Sequence, residues 1–200
     1  MTGKGTMHLF IVYVHPSEQS LTREVRDAFI RGLEAAHHTC EISDLYAMEF
    51  RSDLSEEEYL REALYDTSKP LSPDVAMEQE KINRSDAIVF IYPVFWTEAP
   101  AKLVGWFNRV WTYGFAYGNR TMKQLEKALV LCCAGNPLSQ LHEYGHDESM
   151  KTVMLGDRIF DRARRKEMII LDGTSRHNPQ LLEANRERHL ATAFNAGKFF

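Results

Sequence analysis

The sequence has 200 residues, of which 44% are hydrophobic and 26% charged, with a formal net charge of −4. This length and balance predict one globular domain over residues 1–200, with a core large enough to need no disulfide support. The net charge is low, and the sequence has no long run of acidic or basic residues. Both features argue against a surface that binds nucleic acid or an anionic membrane.

Several features of the sequence bear on where the protein resides. No apolar stretch reaches the roughly 20 residues that span a bilayer, and the segment from Met1 to Met7 lacks the apolar core of a signal peptide. The three cysteines, two of them adjacent, do not make a disulfide framework and favour a reducing compartment. We therefore expect a cytoplasmic protein without membrane insertion.

Short apolar runs alternate along the chain with stretches of helical periodicity. In chain order, strands are predicted at residues 7–14, 39–44, 86–92, 128–134 and 167–171. Helices are predicted at residues 21–33, from Pro100 to about residue 110, and at residues 180–198. Buried strands separated by helices indicate a parallel sheet with helices on both faces.

A further helix is predicted between the second and third strands. Ser55, followed three residues later by Glu58, is typical of a capping box at a helix start. The acidic helix would run to about Tyr65. We expect a solvated surface helix, and a position beside a substrate cleft is the alternative.

Right-handed crossovers place the carboxyl ends of parallel strands at one edge of the sheet, where ligands of such folds bind. The loops of interest are therefore residues 15–22, 93–100 and 134–144. In the first loop, Ser17, Ser20 and Thr22 precede a helix whose N-terminal N–H groups suit a phosphate. The alternative is that Ser20 only caps the helix. Neither a P-loop nor a Gly-x-Gly-x-x-Gly fingerprint is present.

The second loop is rich in aromatic residues and is bracketed by Pro93 and Pro100. A turn of this kind can present backbone N–H groups and an aromatic wall to a planar ring. The alternative is that Phe95, Trp96 and Trp106 simply belong to the core.

Residues 91–118 closely resemble the NAD(P)H:quinone oxidoreductase family of flavodoxin-like flavoproteins. The matching pattern is P-x-x-W-x-x-x-P-A-x-L-x-G-W-F-x-R-V, followed by the F-A-Y run at residues 115–117. Residues 43–46 and 71–74 are similar to the family as well, and the resemblance covers about residues 7–175. It implies an α/β, flavodoxin-like three-layer sandwich with a five-stranded parallel sheet of order 2-1-3-4-5.

The resemblance implies a flavin site formed by the three loops. The flavin phosphate would be held by His15, Ser17, Ser20, Leu21 and Thr22. The isoalloxazine ring would lie along Pro93, Val94, Phe95, Trp96 and Thr97, the last two near the reactive N5. Its pyrimidine end would meet Gly135 and Asn136. The cofactor would be FMN, with FAD as the alternative.

The resemblance also implies a reaction and an assembly. Phe115 and Tyr117 match aromatic residues that line the acceptor pocket from the second subunit of a homodimer. Tyr144 and His146 match residues credited with stabilising the reduced flavin. In the implied ping-pong cycle, NAD(P)H gives hydride to the flavin, the nicotinamide leaves, and a quinone-like acceptor takes two electrons.

The chain departs from the family pattern after the fourth strand. Residues 133–136 are Cys-Ala-Gly-Asn where Thr-Thr-Gly-Gly is usual, so hydroxyl donors to the flavin are lost while backbone N–H groups remain.

A nucleotide-binding regulatory subunit of a potassium efflux system is the alternative function. A one-electron flavodoxin carrier is disfavoured, because such carriers are strongly acidic and lack the aromatic dimer motif.

Three other groups of residues have simpler interpretations. His142 and His146 are spaced i, i+4, but the intervening Tyr-Gly pair predicts a loop, so no metal site is expected. Cys132 and Cys133 are strand neighbours that should face opposite sides of the sheet, with a buried structural role. The basic cluster at residues 158–166 is expected to be a solvated face.

Overall fold

The computed structural model describes residues 5–200, so the first four residues of the predicted N-terminal segment lie outside the described part. Five parallel strands form one sheet of order β2-β1-β3-β4-β5, which confirms the predicted fold class. The strands are β1 His8–Tyr13, β2 Thr39–Asp44, β3 Ala87–Pro93, β4 Leu125–Cys133 and β5 Ala163–Leu171. The helices are α1 Leu21–Ala35, α2 Glu56–Ala63, α3 Pro73–Arg84, α4 Ala101–Val110, α5 Leu138–Glu143, α6 His146–Lys151 and α7 Pro179–Lys198, with a π-helical segment at Thr152–Ile159.

The central strands are buried on both faces, as their continuous apolar composition predicts. In β1, Phe10 and Val12 pack toward α3 and α4, whereas Leu9, Ile11 and Tyr13 pack toward α1 and α7. The sheet therefore separates two apolar layers, each covered by its own pair of helices. Within residues 5–200, no helix is both long and apolar enough to cross a bilayer.

The predicted start of β5 is wrong by four residues. The strand begins at Ala163 rather than at residue 167, and pairs with β4 from Leu125 onward. Its first half carries Arg164, Arg165 and Lys166, which are exposed as expected because β5 is the last strand of the sheet, whereas Arg158 of the same basic cluster is largely buried and binds Glu98. Such an edge strand has few of the apolar residues by which a strand is recognised.

Helix α2 is confirmed together with its capping box. The Ser55 hydroxyl accepts a hydrogen bond from the Glu58 N–H at 3.1 Å, and the Glu58 carboxylate accepts one from the Ser55 N–H at 2.8 Å. The expectation of a purely solvated helix is wrong, because Glu58 also binds Arg109 of α4 at 2.7 Å. Arg109 is only 2% exposed and binds Asp74 of α3 at 2.6 Å as well. This ion cluster ties α2 to α3 and α4.

The ion cluster makes the stability of the fold depend on pH. Burial alone would raise the pKa of Glu58, but hydrogen bonds from Arg109, Ser55 and Ser72 outweigh it and lower the pKa to about 2 from 4.5. A carboxyl group with a depressed folded-state pKa stabilises the fold above its unfolded pKa, and that contribution is lost as the pH falls through the folded value.

We therefore expect the free energy of unfolding to decline between pH 4.5 and about pH 2, and Glu58→Gln to remove part of that decline. Urea denaturation of both proteins at a series of pH values measures the effect. Parallel pH profiles for the two proteins would contradict this assignment.

Candidate active site

A cleft of about 280 Å³ lies at the carboxyl ends of β1, β3 and β4, where the three predicted loops meet. Nine of the twelve predicted cofactor-binding residues line it: His15, Ser17, Ser20, Leu21, Thr22, Pro93, Val94, Phe95 and Gly135. The structure thus brings together residues that are up to 120 positions apart in the sequence (135 minus 15).

One end of the cleft is the N-terminus of α1. Ser20 is the N-cap of this helix, since its hydroxyl accepts a hydrogen bond from the Arg23 N–H at 3.2 Å, and it also lines the cleft. The cap leaves the N–H groups of Leu21 and Thr22, the first two helical residues, without an acceptor inside the helix. Together with the positive end of the helix dipole, they make this end suitable for an anion.

Four further residues line the cleft wall and were not predicted from the sequence, namely Cys133, Thr174, Arg176 and Leu182. The last three follow β5, whose carboxyl end lies at the same edge of the sheet. Their position after a predicted strand is the feature of the sequence that could have identified them. Arg176 donates a hydrogen bond to the Gln19 carbonyl, which places its guanidinium beside the loop that precedes α1. It adds a positive charge at the same end of the cleft as the N-terminus of α1.

His15 contributes no charge to this end of the cleft at neutral pH. Burial lowers the pKa of His15, and the nearby charge of Arg176 acts in the same direction, although a hydrogen bond with the Ser17 backbone opposes them. Its Nδ1 lies 2.9 Å from the Ser17 nitrogen, so the ring holds the loop in place. The positive potential at the cleft therefore comes from Arg176 and the helix end.

The aromatic turn projects from the rim of the cleft. Reciprocal backbone hydrogen bonds of 2.9 Å between Phe95 and Glu98 close a two-residue turn at Trp96 and Thr97, whose φ angles are +53° and +64°. The Trp96 side chain is 100% exposed and Phe95 is 47% exposed, so the core alternative is wrong for both, whereas Trp106 is fully buried. Trp96 and Thr97 adjoin the cleft wall without forming part of it.

Asn136, Tyr144 and His146 also lie outside the cleft wall. The Asn136 carbonyl accepts a hydrogen bond from the Gly173 N–H at 3.1 Å and so joins the loops after β4 and β5. Tyr144 and His146 flank the break between α5 and α6, with ring centroids 5.7 Å apart.

The break between α5 and α6 also decides the arrangement of the two spaced histidines. His142 lies on α5 and His146 on α6, so they do not share one helix face. In the described part of the chain, no three His, Cys, Asp or Glu side chains are grouped to hold a metal ion.

Phe115 and Tyr117 lie on the loop after α4, away from the cleft of their own chain. Phe115 is buried and lines a separate cavity of about 460 Å³ together with Arg61, Tyr65 and Gln79. The Tyr117 hydroxyl donates a hydrogen bond to Glu62 at 2.8 Å. A contribution of these aromatic residues to an acceptor pocket at the cleft therefore requires a second copy of the chain.

The adjacent cysteines, Cys132 and Cys133, face opposite sides of the sheet, as predicted. Cys132 packs in the layer toward α3 and α4, and Cys133 in the layer toward α1 and α7, where it also lines the cleft. Burial raises the pKa of Cys133 to about 12, in spite of a hydrogen bond with Thr22, and burial also raises the pKa of Cys132. Neither thiol is therefore a nucleophile at neutral pH.

We expect Cys132 and Cys133 to react with a thiol reagent such as DTNB at pH 8 only after unfolding, because the thiolate is the reacting species. In native protein at most one thiol, that of Cys40, should react with the reagent, and in urea-denatured protein all three thiols should react. Cys133→Ser is the control and should lower only the denatured value. Rapid release of more than one equivalent from native protein would show that the thiols are accessible and ionised.

Comparison with known proteins gives a consistent result. Residues 7–192 match the family described by its flavodoxin-like fold. The solved structure of an NAD(P)H:quinone oxidoreductase from Methanothermobacter marburgensis is 47% identical in sequence, with a TM-score of 0.91 over 97% of this chain and 96% of that one. An FMN-dependent NADH-azoreductase from Bacillus anthracis, solved with FMN, is 15% identical with a TM-score of 0.67 over 94% of this chain and 98% of that one, a likeness of fold alone.

A curated relative matches over a shorter region. The ribosyldihydronicotinamide dehydrogenase-like protein traD of Penicillium crustosum is 34% identical over 124 residues, which are 56% of this chain and 46% of that protein. The chain thus spans about half the length of the curated relatives it matches first.

Proposed function

The chain belongs to the NAD(P)H:quinone oxidoreductases of the flavodoxin-like fold family, and from this premise we propose that it transfers two electrons from NAD(P)H to a quinone-like acceptor through a bound flavin. The observation that carries the proposal is the cleft itself. It joins an anion-binding helix N-terminus to an apolar wall at the carboxyl edge of the sheet.

The residues of the cleft fit a flavin mononucleotide. The N–H groups of Leu21 and Thr22, the Ser17 hydroxyl and the Arg176 guanidinium suit its phosphate. Pro93, Val94 and Phe95 offer the flat apolar surface that a tricyclic ring needs. When bound, the flavin supplies hydride acceptance and two-electron donation, and the chain supplies binding, orientation and exclusion of water.

The groove that continues from the anion-binding end favours FMN over FAD. This groove shares Ser20, Leu21, Arg176 and Leu182 with the cleft and is otherwise lined by Glu18, Gln19, Glu24, Glu183 and Arg186. Two of its three carboxylates already bind guanidinium groups, since Arg186 is bound to Glu24 at 2.6 Å and Arg23 is bound to Glu18. The second phosphate of FAD would lie beside three carboxylates in a groove where Arg23 and Arg186 are already engaged by Glu18 and Glu24.

We expect apoprotein to bind FMN more tightly than FAD, and the double variant Glu18→Gln/Glu183→Gln to raise the affinity for FAD about fivefold, or ~1 kcal/mol, with that for FMN unchanged. Fluorescence titration with each flavin measures both constants. Glu126→Gln, which removes an exposed carboxylate on β4, is the control and should alter neither. Equal gains for both flavins would refute the charge argument.

We further propose a homodimer in which the loop that carries Phe115 and Tyr117 of one chain completes the acceptor pocket at the cleft of the other, with Tyr117 supplying the exposed ring. The exposed rings of Tyr65, Tyr117 and Phe160 support a partner-facing surface. Tyr144 and His146, which flank the turn between α5 and α6, are proposed to stabilise charge on the reduced flavin. The three cysteines are unpaired, which supports a reducing cytoplasm.

The decisive experiment is steady-state turnover. Purified protein supplied with FMN should oxidise NADH or NADPH for many turnovers when a quinone is added, because an enzyme regenerates its oxidised form whereas a regulatory subunit does not. None of the relatives described above is a potassium-efflux protein. Binding of flavin and nucleotide without turnover would overturn the proposal and would favour a regulatory subunit that senses nucleotides.

Trp96→Ala tests the aromatic turn within the same assay. Because the Trp96 side chain is fully exposed, its loss should leave the melting temperature within about 2 °C of wild type. It should, however, weaken FMN retention about tenfold if the ring covers the bound flavin. Unchanged retention would remove Trp96 from the cofactor site.

A further inference from the structure

A single carboxylate oxygen holds the loop that carries Tyr117. Glu62 Oε2 accepts a hydrogen bond from the Tyr117 hydroxyl at 2.8 Å and another from the Tyr113 N–H at 2.7 Å. Its other oxygen, Oε1, binds the guanidinium of Arg61, whose side chain is buried. Glu62 therefore anchors both the backbone and the side-chain end of this loop.

Glu62 is itself held in place by the rest of the fold. It lies on α2, which the Ser55–Glu58 capping box begins and which Arg109 ties to α4. Next to it, Arg61 donates a hydrogen bond to the Lys69 carbonyl at 3.3 Å. The carboxylate consequently occupies a fixed position relative to the sheet, and the loop after α4 is built against it.

The loop is shaped around the ring of Tyr113. This ring contacts Tyr65 at a centroid distance of 4.7 Å and Tyr117 at 5.6 Å. Gly118 has a φ of +70°, and a Cβ at this position would lie 2.2 Å from the Tyr113 ring. Aromatic packing and the glycine thus leave little freedom for the Tyr117 ring once its hydroxyl is bound.

We propose that Glu62 is a positioning residue of the acceptor pocket, which engages the hydroxyl of Tyr117 so that its ring, and not its O–H, is presented to the acceptor. The inference rests on the proposed function, in which Tyr117 lines that pocket. Tyr117 is 37% exposed although its hydroxyl is bound, so the ring is the part available for contact. The pocket then selects flat aromatic acceptors that stack, over acceptors that need a hydrogen-bond donor.

The hydrogen bond has a spectroscopic signature that is independent of turnover. Burial raises the pKa of Tyr117, and the hydrogen bond to Glu62 and its negative charge raise the pKa further. In Glu62→Ala, one tyrosine should therefore ionise at lower pH than in wild type, seen as earlier absorbance at 295 nm in alkaline titration. Adding Tyr117→Phe to Glu62→Ala should abolish this early component.

The kinetic test is a double-mutant cycle on the flavin-loaded dimer. Glu62→Ala and Tyr117→Phe should each raise the KM for a quinone about fivefold, and the double variant should show no more than the larger single effect. The kcat should stay within about twofold of wild type. Glu62→Gln, which retains an acceptor oxygen, should restore the quinone KM, and Glu57→Ala, an exposed change on the same helix, should not alter it.

Each outcome has a distinct meaning. Wild-type protein without quinone turnover overturns the proposed function and this inference with it. Wild-type turnover with an unchanged quinone KM in Glu62→Ala and Tyr117→Phe overturns this inference alone, as do additive effects in the double variant. If Glu62→Ala does not fold, Tyr117→Phe and Glu62→Gln still decide between these results.

Discussion

The parallel pairing of β1 with β3 is the constraint on which the rest of the structure depends. Both strands end at the same edge, yet the chain leaves β1 for α1 on one face of the sheet and leaves β3 for α4 on the other. The two loops therefore diverge and leave a cleft between them. The loops after β4 and β5 reach the same edge because those strands are parallel as well, which brings Gly135 and Arg176 to the cleft.

The fold was largely predictable because the central strands are apolar throughout. Residues 7–14 and 86–92 are short apolar runs, each followed by a proline within two residues, which favours buried strands, and the order of the strands followed from the family resemblance. Helix α3 was not predicted, although Pro73 at its first turn is a start signal, and the π-helical segment has no sequence signature of its own. The first half of β5 was missed since only pairing with β4, and no apolar pattern, defines it.

The candidate site was predictable where it is local and not where it depends on distant contacts. Ser20, Leu21 and Thr22 follow a strand and begin a helix, so their place at the cleft follows from sequence order. Arg176 and Leu182 bear no motif: Arg176 reaches the cleft from the loop after β5, and Leu182 from α7, which packs against α1. The partner of Tyr117 is 55 residues earlier in the chain, and no periodicity connects the two positions.

The aromatic turn is maintained against its own backbone preference. Trp96 and Thr97 both adopt left-handed conformations, which cost non-glycine residues about 1 kcal/mol each. Arg158 of the π-helical segment stabilises the turn by binding Glu98 at 3.0 Å, and the Arg158 carbonyl accepts a hydrogen bond from the Trp111 indole at 2.6 Å. Because the Trp96 side chain is fully exposed, it makes no packing contribution to the stability of its own chain. The turn is therefore held by the reciprocal backbone hydrogen bonds of Phe95 and Glu98 and by the Arg158–Glu98 ion pair, and not by packing of the Trp96 ring.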